Sequence, residues 1–486
     1  MNLNGINLVE YNGYYMLVNY SLRKPVMVSK RVYDTLSEVK KGTPIQELKE
    51  KYGEDLLEII EKKMRELEER KVLECSETNF GNEGMKAIER LRTHEVEILE
   101  GNIMVSQDCN MACKYCYGGE SGRYNLRGLM SVEMAEKCFR FILEAGGNRS
   151  FQKIVFFGGE PLLNMRAIRH VILTWENIKH LYPGREIYFT LTTNGSLLTP
   201  EIVEFFRDYK VGISFSLDGP KEIHDANRVM VGGTPSFERV MDAIDLMREY
   251  KLPISIRTTV TKNTDYDKFY TFFERQNFDV HTLAIVDYPV IHPKKEYQFD
   301  LASYNEFMKK QREVVCEGCD EIRNGKGDSF KAKQMSVSFH KPGTSNYPFL
   351  CGAGNWFFAF GLDGYIYPCN RVVGQKKFRI GDIDNGIDQE KMAGLLVEFL
   401  HVSKNCNCCW AAAHCKGRCF HQKLNDEGKL EALPEALCDI YRENIADSLL
   451  FAHKMKKYIA ENKKDFDKAL IRYNADHMME NLKNGV

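Results

Sequence analysis

The sequence predicts an α/β protein: a partial barrel of six β/α units, flanked by a small N-terminal strand-and-helix module and a cysteine-rich C-terminal domain. Three observations carry this. Between Asn102 and about Pro289, short apolar strand patterns alternate with helical ones. Ahead of them, two strand patterns around a tight turn lead into three amphipathic helices. The fifteen cysteines of the 486-residue chain gather mainly at 109–116 and 351–438.

The length predicts two to four domains. With 43% hydrophobic and 28% charged residues and a formal net charge of −1, the chain has no electrostatic footprint for nucleic acid and no basic helix for a membrane surface. No apolar run approaches a membrane span. Met1-Asn2-Leu3-Asn4-Gly5 lacks the basic and apolar regions of a signal peptide, so a cytoplasmic location is expected. Cysteines in such a chain are expected as metal ligands rather than disulfides.

In chain order, Ile6–Glu10 and Tyr14–Asn19 read as strands around Asn12-Gly13, a strong hairpin signal. Pro25–Val28 is a third extended piece, and Ser29 caps a helix with Val32, Tyr33, Leu36 and Val39 on one face. Pro44 starts a second helix carrying Ile45 and Leu48; a third, Leu56 to Leu67, turns Leu56, Ile59, Ile60, Met64 and Leu67 inward. Residues 1–76 thus form a winged-helix-like module. It holds 13 Lys+Arg and 13 Asp+Glu through Cys75, so it has no phosphate-seeking excess. Residues 77–99 read as a charged, partly helical linker. Residues 100–310 form the partial (β/α)6 TIM barrel, with strands at Ile103–Ser106, Lys153–Phe157, Glu186–Thr192, Val211–Ser216, Ile254–Val260 and Thr282–Val286. A bridging segment (311–350), the cysteine-rich domain (351–438) and a charged helical tail (439–486) follow.

Chemistry concentrates in loops after the carboxyl ends of the strands, where barrel active sites lie. After the first strand comes Cys109-Asn110-Met111-Ala112-Cys113-Lys114-Tyr115-Cys116. Three thiolates on one loop can hold three irons of a [4Fe–4S] cube and leave the fourth open; the same spacing also suits zinc. After the second comes Gly158-Gly159-Glu160-Pro161, whose glycines permit close backbone approach and whose carboxylate can accept from an amine. Thr192-Thr193-Asn194-Gly195 and Ser216-Leu217-Asp218-Gly219-Pro220 follow the third and fourth. Arg228 and Arg257 bring cations to the same end, and rim salt bridges are the plainer use for them.

The cysteine run with Tyr115, the GGEP element and the TNG and SLDG elements resemble the radical SAM superfamily. That resemblance implies that Cys109, Cys113 and Cys116 ligate a [4Fe–4S] cluster which splits S-adenosylmethionine (SAM) into methionine and a 5′-deoxyadenosyl radical. It implies SAM contacts from Tyr115, Gly158, Gly159, Glu160, Pro161, Asn194, Ser216, Asp218, Arg228 and Arg257, with Glu160 and its glycines on the methionyl amine and Arg228 on the carboxylate.

Farther on, Cys351 and Cys369 fit C-x12-G-x4-C around Gly364, and Cys406, Cys409, Cys415 and Cys419 fit C-x2-C-x5-C-x3-C, with Cys438 after a gap. A zinc ribbon would use such cysteines too. The series resembles the SPASM domain and implies two auxiliary [4Fe–4S] clusters, the first on Cys351, Cys369 and Cys419, the second on Cys406, Cys409, Cys415 and Cys438. Three clusters are then expected in all. Cys316 and Cys319 are a spare pair that could close the first auxiliary site. Sulfatase-maturing relatives carry an aspartate just after the second cysteine of the C-x12-G-x4-C element; here that position, after Cys369, is Asn370, which cannot act as that base. Cys75, Cys138 and Cys408 are expected to be packing residues.

The whole pattern resembles thioether synthases of the sactipeptide and ranthipeptide type. They imply a PqqD-like front module that takes the leader of a precursor peptide as an added strand. They also imply an external electron donor of flavodoxin or ferredoxin type. A carbon–carbon crosslink or other side-chain oxidation on the same scaffold is the alternative, and a metal-bearing transcription regulator is the reading outside enzymology.

Overall fold

The structure is a computed structural model that describes residue 3 and residues 6–19, 25–69, 79–118, 127–276, 278–286, 295–324, 326, 329–338, 351–425 and 427–461. Cys75, the barrel boundary at Pro289 and the tail past 461 lie outside the described residues.

At the front, β1 (Ile6–Tyr11) and β2 (Tyr14–Asn19) pair antiparallel, and β3 (Val26–Val28) adds to β2. The turn needs two left-handed residues, and Asn12 (φ 48°) and Gly13 (φ 75°) supply them. The Ser29 hydroxyl accepts from Val32 N at 3.4 Å and opens the helix Lys30–Lys41. Helices Ile45–Tyr52 and Glu54–Glu69 follow. Leu36, Ile60 and Met64 close with Ile6 and Leu17 into a small core. One expected core residue points outward: Ile59 is 63% exposed. The inward stripe of the third helix is Leu57, Ile60 and Met64, spaced three and four, and Ile59 falls one helical step off it.

Strand alternation sends Leu17 to these helices and Met16 and Val18 to the other face. That face is not bare. Val9, Met16 and Val18 pack on Ala446 and Leu449 of the long helix Glu435–Glu461, with Trp410 and Ile445 alongside.

The segment expected as a linker carries the helix Phe80–Thr93, which buries Phe80, Ala87, Ile88 and Leu91. It lies against the helix Gln389–Val402, and a Cβ on Gly84 would stand 2.5 Å from Leu400 Cδ2. It is a docked structural element and not a tether.

The barrel strands are β4 (Glu100–Ser106), β5 (Phe151–Gly158), β6 (Glu186–Thr193), β7 (Gly212–Ser216), β8 (Ser255–Val260) and β9 (Val280–Ile285), parallel and in sequence order. The six expected strands are these six, shifted by a few residues at their ends. One feature was not anticipated. β10 (Phe357–Phe360) pairs parallel to β4, and β11 (Ile366–Tyr367) folds back on it, so among the described residues the sheet has eight strands. The cysteine-rich domain is therefore stitched into the barrel sheet itself. Gly101 faces outward, where a Cβ would meet Ile142 at 2.4 Å; Glu100 and Asn102 face the lumen.

Met16 is fully buried between the front sheet and the last helix. Met16→Ala should cost about 2–4 kcal/mol and lower the chemical-denaturation midpoint read by Trp410 fluorescence. An unchanged midpoint would mean that this face is not packed.

Candidate functional site

The cysteine loop is built by backbone pairing before any side chain is considered. Ala112 N donates to Val229 O (2.8 Å), Lys114 N to Asn227 O (2.9 Å) and Val231 N to Asn110 O (2.9 Å). Gly159 N and Glu160 N donate to Ser106 O and Asp108 O at 2.9 and 3.0 Å, drawing the end of β5 onto the end of β4. Both glycines are needed for this contact. A Cβ on Gly158 (φ +146°) would lie 1.7 Å from Ser106 O, and one on Gly159 2.5 Å from Asp108 O. The close backbone approach is thus to the cysteine loop.

The three thiols face one another. Burial pushes the Cys113 thiol up to about 11, with Arg228 pulling it back and Cys116 pushing further. Burial also raises Cys109, and the nearby Glu160, Cys113 and Cys116 push the same way. Thiols held this high stay neutral unless a metal ion draws off their protons, which bound iron does. Among the described residues no three His, Cys, Asp or Glu converge as ligands of one metal ion. A cube gives each thiolate its own iron, so three thiols on one loop can hold three of its irons.

Behind the loop lies a buried knot. Asp218 is 1% exposed, pairs with Arg228 Nε at 3.0 Å, accepts from the Tyr115 hydroxyl, and accepts from Thr259 N at 3.0 Å. Arg228 also reaches Cys113 Sγ at 3.8 Å and lies over the Tyr115 ring, 5.4 Å from its centroid. Asp218 and Arg228, expected at SAM, here engage each other and the loop that carries Cys113. Sequence reading missed His224. It is fully buried, and burial pushes its imidazole down to about 4. Its Nδ1 accepts from Asp218 N (3.2 Å), so the proton sits on Nε2, which faces Ser236 Oγ at 3.0 Å. Its place six residues past Asp218 carries no motif that would have flagged it.

Glu160 is buried and accepts from Leu162 N (3.0 Å), Thr193 Oγ1 (2.7 Å) and Asn194 N (2.8 Å). Burial still pushes its carboxyl up to about 7 against those donors; a cation beside it would favour the charged form. A carboxylate has about four acceptor sites, and Oε2 has spent only one. Asn194 is tied to Asn110 (2.9 Å) and Ser196 (2.6 Å), two further residues that the motifs did not mark. Arg257 pairs with Ser216 in the register of β7 and β8 and makes no side-chain hydrogen bond or ion pair among the described residues. A buried carboxylate with acceptor capacity left and an arginine without an anion fit a zwitterionic, cationic ligand such as SAM.

The three thiols, Tyr115, Glu160, Asn194, Arg228 and Arg257 line one cavity of about 880 Å³, with Asp218 and His224 behind its wall. It runs from Cys109, Cys113, Cys116 and Glu160 down the lumen to Glu100 and Lys153, and reaches Asn370 and Arg371 beside Cys369. Cys369 is buried, which raises its thiol, and Cys351 and Cys419 press on it. In the second set, burial pushes Cys406 up to about 12, with Cys415, Cys409 and Cys438 adding to it and Lys423 opposing. Lys423 is 4% exposed, and Arg442 reaches Cys409 Sγ at 4.0 Å. Lys423 and Arg442 beside four thiols offset part of the charge that thiolates would bring. Cys316 and Cys319 are not part of either set: they ride the outer helix Leu301–Arg323, where the Cys319 thiol bonds back to Val315 O at 3.2 Å. Cys138 is core, as expected, whereas Cys408 is exposed.

Fold and site define an enzyme that works in the mouth of a parallel barrel beside a loop of three thiols. Residues 103–275 match the Radical SAM superfamily. The chain is 30% identical over 352 residues to the cysteine-type anaerobic sulfatase-maturating enzyme of Clostridium perfringens (strain 13 / Type A), covering 70% of this chain and 92% of that one. It is 24% identical over 373 residues to the radical SAM cyclopropyl synthase TigE of Paramaledivibacter caminithermalis, 74% and 75% of the two chains. The solved structure of native anSMEcpe with bound AdoMet and Cp18Cys peptide shares the fold, with a TM-score of 0.59 at 23% identity over 73% of this chain and 99% of that one. So does Streptococcus suis SuiB bound to precursor peptide SuiA, with a TM-score of 0.51 at 16% identity over 89% and 98%. The chain belongs to the radical SAM superfamily, whose members use SAM and a [4Fe–4S] cluster. Among the described residues no helix is long and apolar enough to cross a membrane.

Gly158→Ala should prevent assembly of the site, because its Cβ would overlap Ser106 O. Gly232→Ala, at φ +100° with nothing within 4 Å, should cost only the left-handed penalty of about 1–2 kcal/mol. Iron and sulfide content after anaerobic reconstitution compares them; equal loading would refute the steric argument.

Proposed function

We propose that this enzyme matures a ribosomally made precursor peptide by forming an intramolecular thioether between a cysteine sulfur and a carbon. The observation that carries the reading is the cavity that runs from the Cys109, Cys113 and Cys116 loop to Asn370 and Arg371 beside Cys369, where, among the described residues, Cys351, Cys369 and Cys419 face one another. Three thiols leave one iron of a cube for a substrate thiolate, and Cys316 and Cys319 sit elsewhere. The relatives support a peptide substrate by what their names describe: sulfatase maturation, and a complex with a precursor peptide.

With SAM and its cluster bound, the chemistry available is one-electron cleavage of SAM to a radical that abstracts hydrogen from carbon. The protein's part is placement. Glu160 would accept from the methionyl ammonium, Arg257 would clamp the carboxylate bidentately, and Asn194 and Ser216 would meet the ribose hydroxyls. The Asp218–Arg228–Tyr115 knot would hold Cys113 in place. Across the whole reaction the peptide loses one hydrogen from carbon and a proton from sulfur. The electron spent on SAM is recovered when the C–S bond closes, so SAM is the net oxidant. Cys406, Cys409, Cys415 and Cys438 would hold the cluster that returns this electron; Cys408, beside Cys409 in sequence, is exposed, and a flavodoxin- or ferredoxin-type carrier would approach from that side.

The front module would take the leader as a strand on an edge of its sheet, β1 or β3. Because the sheet rests on the last helix, binding belongs to the full chain. The intact enzyme should bind the whole precursor and ignore a leaderless one; equal affinity would reassign the module.

Reconstituted enzyme should hold close to twelve irons if all three clusters form. Replacing Cys109, Cys113 and Cys116 with alanine should remove one cluster and all SAM cleavage. The product should be lighter by two hydrogens and have one cysteine fewer open to alkylation. A product equally light whose cysteines all remain alkylatable would make the linkage carbon–carbon and sink the thioether.

A further inference from the structure

Between the two thiol sets stands a wall of side chains to which the chemistry above gives no role. Tyr117 directly follows Cys116, and Asn370 and Arg371 directly follow Cys369; all three line the cavity. The Asn370 amide spans the two loops. Its Nδ2 donates to the Tyr117 hydroxyl at 3.0 Å, and its Oδ1 lies 3.6 Å from Cys369 Sγ. Arg371 places its guanidinium 5.2 Å from the Tyr117 ring centroid, and its backbone N–H donates to Cys369 Sγ at 3.4 Å. The His421 ring, two residues past Cys419, meets Tyr117 edge-on at 6.3 Å. Tyr117 belongs in sequence to the first thiol loop, yet residues attached to the second hold it.

That matters because bond formation needs reacting atoms about 3–3.5 Å apart. A carbon presented at SAM and a sulfur presented at Cys369 meet only if the two loops keep a fixed separation. An amide can set that separation, since it offers donor and acceptor together and brings no charge to the thiols. We propose that Asn370 is a positioning residue that, through Tyr117, locks the first thiol loop against the second and so aligns the carbon and sulfur of the peptide. This rests on the assignment of Cys351, Cys369 and Cys419 to one cluster.

Asn370→Leu keeps the shape and loses both contacts, and Tyr117→Phe removes the hydroxyl. Each holoenzyme, given precursor, SAM and reductant, should release 5′-deoxyadenosine near the wild-type rate. Modified peptide per 5′-deoxyadenosine should fall about tenfold. The double variant should fall no further than either single one, since both break one link. Wild-type coupling in either single variant, or losses that multiply in the double, would overturn the proposal. Asn370→Asp gives a readout that needs no peptide. It keeps a bond to the Tyr117 hydroxyl, which now donates, and it sets a negative charge beside Cys369. Coupling should survive, while redox titration followed by electron paramagnetic resonance should show that cluster's potential moved to more negative values. An unmoved potential would remove Asn370 from the cluster's surroundings. Wild-type enzyme that holds its iron but leaves the precursor unchanged would count against the maturase reading, and the potential would still decide the place of Asn370.

Discussion

The buried pair of Asp218 and Arg228 is the constraint on which the site depends. A charge taken from water costs several kcal/mol unless its partner and hydrogen bonds replace the water. Here the replacement is complete on the acid side: the guanidinium, the Tyr115 hydroxyl and Thr259 N all meet Asp218. Each partner lies on a different piece of chain. Tyr115 sits inside the cysteine run, Asp218 at the end of β7, Thr259 on β8 and Arg228 on the segment that pairs with the cysteine loop. Removing either charge would strand the other at about 3–5 kcal/mol, and the first element released would be the loop that holds Cys113. A loop of three thiols around Ala112 and Met111 has little core of its own; it is ordered from beneath by this pair and from the side by β5.

The second constraint is the seam between β4 and β10. Leu99 N and Glu100 N both donate to Trp356 O, at 2.9 and 3.0 Å, before the strands begin to pair. Cys351 precedes that seam and Cys369 follows β11, so sheet hydrogen bonding sets the second thiol site against the barrel wall. Loops could not hold it with that precision. The lumen then becomes the shared space of both sites. Many barrels fill this space with branched side chains; here the small or polar Asn102, Thr190, Ser214 and Ser255 stand among the lining residues, and a cavity of about 880 Å³ remains.

How much of this could be read in the sequence follows from the range of the forces involved. The six barrel strands and the Asn12-Gly13 turn are local patterns, and they stand where the pattern put them. The division of the C-terminal cysteines is not local in this sense: spacing puts Cys419 with Cys415, and only the family resemblance implies that it joins Cys351 and Cys369. What escaped was long-range. Nothing near Phe357 announces that it will pair with Glu100, 257 positions earlier. Phe80–Thr93 reads as charged because its apolar stripe is narrow, and Gly81 and Gly84 lower its helical signal. Those glycines are there for the opposite reason: Asn407 and Leu400 occupy the space a side chain would need. Arg228 was expected to bind a ligand's carboxylate because a motif shows only that an arginine is present, not which carboxylate it meets first. Ile59 was expected inside because an apolar residue next to Ile60 was counted without its angle.

Read alone, residues 1–76 resemble a separable bead on a charged string. In the structure, Tyr11 bonds to Asp447, whose carboxylate also meets Arg312 at 2.7 Å. Val9, Met16 and Val18 bury against the helix that bears Ala446 and Leu449. That helix also bears Cys438 and Arg442, and Ala446 follows Cys438 by about 12 Å of helix at 1.5 Å per residue. A rigid rod this short cannot shift at one end without moving the other. The front sheet and the four-thiol site therefore share one support, and a front fragment freed of it would expose three apolar side chains to water. Each of them contributes about 1.5–3 kcal/mol when buried. The order of domains along the chain, front module first and four-thiol site last, hides that these two ends are neighbours.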